Sequence, residues 1–379
     1  MNKSLLKLAS VIGASALVLA GCAEAPNAEP GEPTEVVSPS GSESMESPDA
    51  GTEPTADFKA CMVSDAGGFD DKSFNETAYA GLMRAKDELG IETGEIESNS
   101  EADFAQNIQA MIAADCNIVV TVGFLLATAT EAAAKQNPDV DFAIVDNNSF
   151  EGVDNAKGLI FNTAESSFMG GYLAASMSKT GKVGTFGGLK IPTVTIFMDG
   201  FTQGVEYFNE QKGGDVQVIG WDAATQDGQF VPGNDPFGNI AGGKETASTL
   251  IAQGADVLFP VAGPAGLGGL QAAQASGGNV NAIWVDTDGC VSAPEFCPNI
   301  ISSVYKGMDV AVFDAITAGM DGEFSGEEFV GTLENEGTGL SPFNEFDTKV
   351  SDEIKAELDK IKEDIVSGAI EITSEAQPN

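Results

Sequence analysis

Apolar and polar positions alternate along most of this chain in two different periods. Short apolar runs at residues 58–63, 117–122, 142–145, 183–186, 216–219, 257–261 and 282–285 have the length and β-branched content of buried strands. Between them lie longer amphipathic stretches, at 102–114, 127–136, 166–178, 195–209, 243–253 and 266–275, each long enough for a helix. Strands that alternate with helices in this way predict parallel sheets with helical crossovers. A folded region of about residues 58–372 exceeds the usual size of one core, so the pattern predicts two doubly wound α/β lobes. No repeat of 20–50 residues is evident, which argues against a solenoid.

The ends of the chain break the pattern. Lys3 and Lys7 precede an apolar run over residues 8–20, too short to span a bilayer but suited to the core of a signal peptide. It closes on Leu19-Ala20-Gly21-Cys22, similar to the lipobox of bacterial lipoproteins. Residues 1–21 are therefore expected as a signal segment and Cys22 as the lipidated residue, whose acyl chains would hold the protein to the outer face of the cell membrane. Residues 23–57 are rich in Pro, Ser, Glu, Gly and Thr and contain no Lys or Arg. Such a composition does not bury a core, so 22–57 reads as an acidic tether.

Charge narrows the chemistry. The 379 residues carry a formal net charge of -40 and no histidine. An acidic surface repels phosphate backbones, which excludes nucleic-acid polymers as partners. Absence of histidine removes the usual base of Ser-His and Cys-His nucleophiles and the commonest zinc ligand. Apart from Cys22, the cysteines form an even set, and an oxidising compartment favours their pairing. The expected bonds are Cys61 with Cys116, near neighbours in one lobe, and Cys290 with Cys297, which close a small loop. A zinc site lacks any Cys-x-x-Cys spacing, and neither a metal nor a cofactor is expected.

The candidate site lies at strand ends, where ligands collect in open α/β sheets. Ser64-Asp65 follows the first strand and leads through Asp71-Lys72-Ser73-Phe74-Asn75 into a helix that Ser73 is expected to cap. Asp146 and Asp286 each end a buried strand, and Lys306 supplies a cation. The turn at 262–269 opens a helix after another strand, with glycines that permit close backbone approach. It lacks the Lys-Ser/Thr ending of a phosphate loop.

The first of these segments resembles the signature of the basic membrane protein family, the PnrA-like nucleoside-binding lipoproteins of ABC importers. The resemblance runs from Cys61 to about Asp309 and includes Phe-x-x-Gly-Phe-x-x-Gly-Val at 197–205, the Gly-rich turn and Val285-Asp286-Thr287-Asp288. It implies a type I periplasmic-binding-protein-like fold, with lobe 1 formed by residues 58–162 and 306–330 and lobe 2 by 163–305 and 331–375. Chain crossings are expected near 159–163, 305 and 328–332, and a hinge closes the lobes on solute. The implied function is capture of a purine nucleoside for an ABC permease, by a monomer that performs no chemistry. Asp65, Phe74 and Asn75 would line the first wall, with Phe74 stacking on the base and Asp146 reading its edge. Asp286 and Lys306 would hold the ribose, and Gly263 would line the second lobe. Phe237 is favoured as the opposing aromatic over Phe230 and Phe201, although the loop at 230–237 is longer than the family's usual Phe-x-Asp-Pro form. Gly289-Cys290 stands where the family often has glutamine after the second aspartate. Other readings are a sugar or other small solute as ligand, a nucleoside-processing enzyme using Asp70, Asp71 and Lys72, and a scaffold lipoprotein that binds no solute.

Overall fold

The computed structural model describes residues 57–378; the expected signal segment, Cys22 and nearly all of the tether lie outside the described residues. In chain order the fold begins with β1 (Lys59–Ser64), α1 (Phe74–Leu89), β2 (Glu92–Glu97), α2 (Phe104–Ala113), β3 (Ile118–Val122), α3 (Ala127–Gln136), β4 (Asp141–Val145) and β5 (Ala156–Phe161). It continues with α4 (Thr163–Met177), β6 (Lys182–Gly187), α5 (Pro192–Lys212), β7 (Gln217–Ile219), and the two-residue strands β8 (Trp221–Asp222) and β9 (Asp227–Gly228). Next come α6 (Ile240–Ala252), β10 (Val257–Val261), α7 (Gly266–Ala275), β11 (Asn281–Asp286), α8 (Gly289–Ser292) and β12 (Ile300–Lys306). Last are α9 (Met308–Asp321), β13 (Phe329–Gly331), β14 (Thr338–Leu340) and α10 (Asp352–Val366).

Two six-stranded sheets result, ordered β13-β5-β4-β3-β1-β2 and β14-β12-β11-β10-β6-β7. The first is parallel throughout, and the second is parallel except for its edge pair β12 and β14. Each reverses winding once, between β1 and β3 in the first sheet and between β6 and β10 in the second. These are the switch points at which a doubly wound sheet opens a crevice. The chain passes between sheets three times: from β5 to β6, from β12 to α9 packed on α1, and from β13 to β14.

Strands buried on both faces read as continuous apolar runs, which is why β1, β3, β4, β10 and β11 were legible. Seven strands escaped the list of apolar runs: β2, β5, β8, β9, β12, β13 and β14. The close packing of α4 on α5 explains the Phe-x-x-Gly-Phe-x-x-Gly-Val motif, because a Cβ on Gly200 or Gly204 would collide with the α4 backbone at Ala164 or Phe168.

Both expected disulfides are present, Cys61 with Cys116 and Cys290 with Cys297. The first ties β1 to the segment entering β3, and the second closes the turn that includes α8.

Candidate ligand cleft

The start of α1 is arranged differently from the sequence expectation. Ser73 makes no side-chain cap. Instead Asp71, buried, accepts from the backbone amides of Ser73, Asn75 and Glu76 at 3.0, 2.9 and 3.0 Å. An ionised acceptor satisfies three orphan donors of the helix start more strongly than a hydroxyl satisfies one. Ser73 Oγ is thereby free to reach the other sheet, where it donates to Asp286 Oδ2 at 2.8 Å. Trp284 Nε1 spans the same gap to the Lys72 carbonyl at 3.3 Å. Asp70, Asp71 and Lys72 do not form one cluster: Asp71 is turned inward as the cap, while Lys72 pairs with exposed Asp70.

Between the strand ends of the two sheets lies a cleft, the place where small solutes bind in doubly wound folds. All eight residues singled out as ligand contacts line it: Asp65, Phe74, Asn75, Asp146, Phe237, Gly263, Asp286 and Lys306. Phe124 and Phe197 line it too and were not singled out from sequence. Phe230 and Phe201 do not. Phe230 packs against Trp221, and Phe201 stacks on Phe259 in the core with ring centroids 4.8 Å apart.

Phe237 is held by the Gly-rich turn, its carbonyl accepting from Ala265 N at 2.6 Å. Gly188 lies against its ring, where a Cβ would not fit.

The centre of the cleft is a buried charge set. Lys306 Nζ donates to Asp146 Oδ1 and Oδ2 at 2.8 and 2.6 Å and stands 3.9 Å from Asp286 Oδ1. Asp146 and Asp286 occupy closely matching places, Asp146 directly after β4 and Asp286 as the last residue of β11, each strand being third from one edge of its sheet, and both have positive φ, 67° and 69°. Non-glycine residues in that region carry strain, which concentrates at functional sites. Lys306 Nζ also lies 5.0 Å from the Phe74 ring centroid and 5.1 Å from that of Phe197, near enough for cation–π attraction. Burial raises the pKa of Asp146 and of Asp286, against the pull of Lys306. Asp65, at the end of β1, is pushed up to about 8 by burial, with Asp71 and Asp146 adding repulsion and the Asn75 hydrogen bond opposing it. Burial also lifts Asp71 to about 6, against the three amides that favour its charge. Asn75 Nδ2 donates to Asp65 Oδ1 at 3.0 Å, whereas Asn75 Oδ1 is buried without a partner among the described residues.

The aromatic rings offer stacking faces, and the carboxylates beside them accept hydrogen bonds. No group of three or more His, Cys, Asp or Glu among the described residues is arranged to hold a metal ion. Two doubly wound sheets facing one another across such a cleft define a type I periplasmic-binding-protein-like solute receptor. Residues 58–376 match the family described as ABC transporter substrate-binding protein PnrA-like, and the chain belongs to that family. It is 32% identical over 333 residues to the CD4+ T-cell-stimulating antigen of Listeria monocytogenes, covering 83% of this chain and 88% of the relative. It is 28% identical over 391 residues to the ABC transporter nucleoside-binding protein BmpA of Lactococcus lactis, covering 99% and 100%. Among solved structures, an ABC transporter solute-binding protein of Aeropyrum pernix superposes with a TM-score of 0.74 at 27% identity, over 84% of this chain and 93% of that one. The chain is thus an ABC transporter substrate-binding protein. No helix among the described residues is long and apolar enough to cross a membrane.

Proposed function

We propose that this protein captures a purine nucleoside in the cleft and presents it to an ABC permease, without altering it. The observation that carries the reading is the pairing of Phe74, Phe197 and Phe237 with three buried carboxylates, a half-buried fourth at Asp65 and one lysine in a single cleft. Rings suit the base, and carboxylates suit donors on the base edge and ribose. A phosphate would meet Asp65, Asp71, Asp146 and Asp286 against Lys306 alone, so the site favours nucleosides over nucleotides. In this reading Phe74 stacks on the base, Phe237 faces it, Asp146 reads its edge, and Asp286 and Lys306 hold the ribose. Residues 58–162 with 306–330, and 163–305 with 331–375, act as lobes that close on the solute by a hinge. Cys22 carries the lipid that keeps the receptor on the outer face of the membrane, and the receptor works as a monomer.

The test is mass spectrometry of solute released by denaturing freshly purified protein, followed by incubation with guanosine and chromatography. A purine nucleoside in the released fraction and unchanged guanosine after incubation are the expected results. Released sugar, or free guanine accumulating with time, would overturn the reading.

A further inference from the structure

The chain beyond α10 is fastened to the cleft-facing helix α5. Ser374 Oγ donates to Asp199 at 2.6 Å, and Asp199 is buried, accepting also from Trp221 Nε1 at 2.9 Å and Gln226 Nε2 at 2.8 Å. The Gln203 side chain grips Thr373 from both ends, Nε2 donating to its carbonyl at 2.7 Å and Oε1 accepting from its amide at 3.0 Å. A buried carboxylate with three donors holds its partners in one arrangement, because losing any of them leaves charge under-solvated.

Past that anchor, Ala376, Gln377 and Pro378 form a wall of a second chamber. Asn148 and Phe161 bound it from the first sheet, and Pro192 and Ile196 from α5. Phe124, Asp146, Thr193 and Lys306 border both the main cleft and this chamber, so the two adjoin at the Lys306–Asp146 pair. Thr163 also lines it, and its buried hydroxyl has no hydrogen-bond partner among the described residues.

We propose that residues 376–378 are a specificity wall: they close the chamber behind the Lys306–Asp146 pair and so set the largest solute that the cleft encloses. The proposal rests on the purine-nucleoside reading and deepens it. A ribose substituent that passes Lys306 enters this space, which Asn148 and Thr163 make polar, and one long enough to reach residues 376–378 is excluded by the wall. Ser374 stays outside the wall and acts only as its anchor.

A chain ending at Glu375 keeps Ser374 and removes the wall. Calorimetry compares it with the full chain, using guanosine and its methoxyethyl ethers at the 2', 3' and 5' oxygens. In the full chain each ether should bind at least 100-fold more weakly than guanosine. In the shortened chain that ratio should narrow at least tenfold for one ether or more; ratios that stay the same overturn the proposal. Gln377→Gly combined with Pro378→Gly in the full chain repeats the comparison should the shortened chain fail to melt cooperatively. Amide hydrogen exchange at residues 193–197, measured without solute, should be at least threefold faster once the wall is gone, and unchanged exchange likewise overturns it. If guanosine binds neither protein, the nucleoside reading has failed, and the exchange measurement alone judges the wall.

Discussion

Lys306→Met is the sharpest perturbation of the cleft. The Lys306 side chain is 3% exposed, and those of Asp146 and Asp286 are each 8% exposed, so removing the cation strands two carboxylates away from water. Breaking a buried pair by deleting one partner costs about 3–5 kcal/mol. At roughly 2 °C per kcal/mol for a chain of this size, the ligand-free Tm should fall by roughly 6–10 °C at pH 8. The pH dependence has a definite sign. Both acids already have pKa values raised by burial, and Lys306 is the influence that lowers them. Without it the folded-state values rise further, and an acid raised in the folded state loses stability as pH climbs from its unfolded value toward its folded one. The fall in Tm should therefore be smaller at pH 5 than at pH 8. Adding Asp146→Leu should recover part of the loss at pH 8, since an apolar pair replaces a broken ionic one. Differential scanning calorimetry of wild type and both variants at the two pH values checks this. A fall in Tm that is equal at both pH values, or larger at pH 5, would refute the electrostatic account of Lys306.

Phe74→Ala should weaken all purine nucleosides together by about 1–3 kcal/mol, since stacking depends little on base identity; calorimetry showing loss for one base alone would contradict the stacking role. Asp286→Ala should erase most of the preference for guanosine over 2'-deoxyguanosine, because a site built to bond a hydroxyl discriminates through the group left unpaired. Retained preference in the folded variant would move the ribose elsewhere. Asp65, raised to about 8, should cost the folded state progressively more as pH climbs from about 4 to 8. The Tm of Asp65→Asn relative to wild type should accordingly improve over that range, and a pH-independent difference would contradict the assignment. Cys22→Ala should move the protein from the membrane fraction to the soluble one, and unchanged retention would remove the anchor.

How legible each feature was depended on how local its cause is. The five strands buried on both faces were visible as apolar runs. In contrast, β2 reads Glu-Thr-Gly-Glu-Ile-Glu, an exposed edge strand with a single large apolar residue, and β13 and β14 are only three residues long. Their pairing is decided by neighbours far along the chain. The helix start at Phe74 could be read, but the choice between Ser73 and Asp71 as its cap could not. It depends on Asp286, 213 residues from Ser73, drawing the hydroxyl across the cleft. The recurrence of aspartate at strand ends was readable because β4 is followed directly by Asp146 and β11 ends on Asp286. That Phe197 faces the cleft while Phe201, one turn later, faces Phe259 depends on how α5 rolls against α4, which periodicity alone does not fix.

The proposed solute of the cleft is an uncharged purine nucleoside. That proposal is tested most directly by titrating protein stripped of solute with guanosine in a calorimeter, and then with guanosine monophosphate and ribose. One guanosine should bind per chain with saturable heat, and the nucleotide and the free sugar should give no measurable heat. Saturable binding of ribose or of the monophosphate, with none of guanosine, would contradict it.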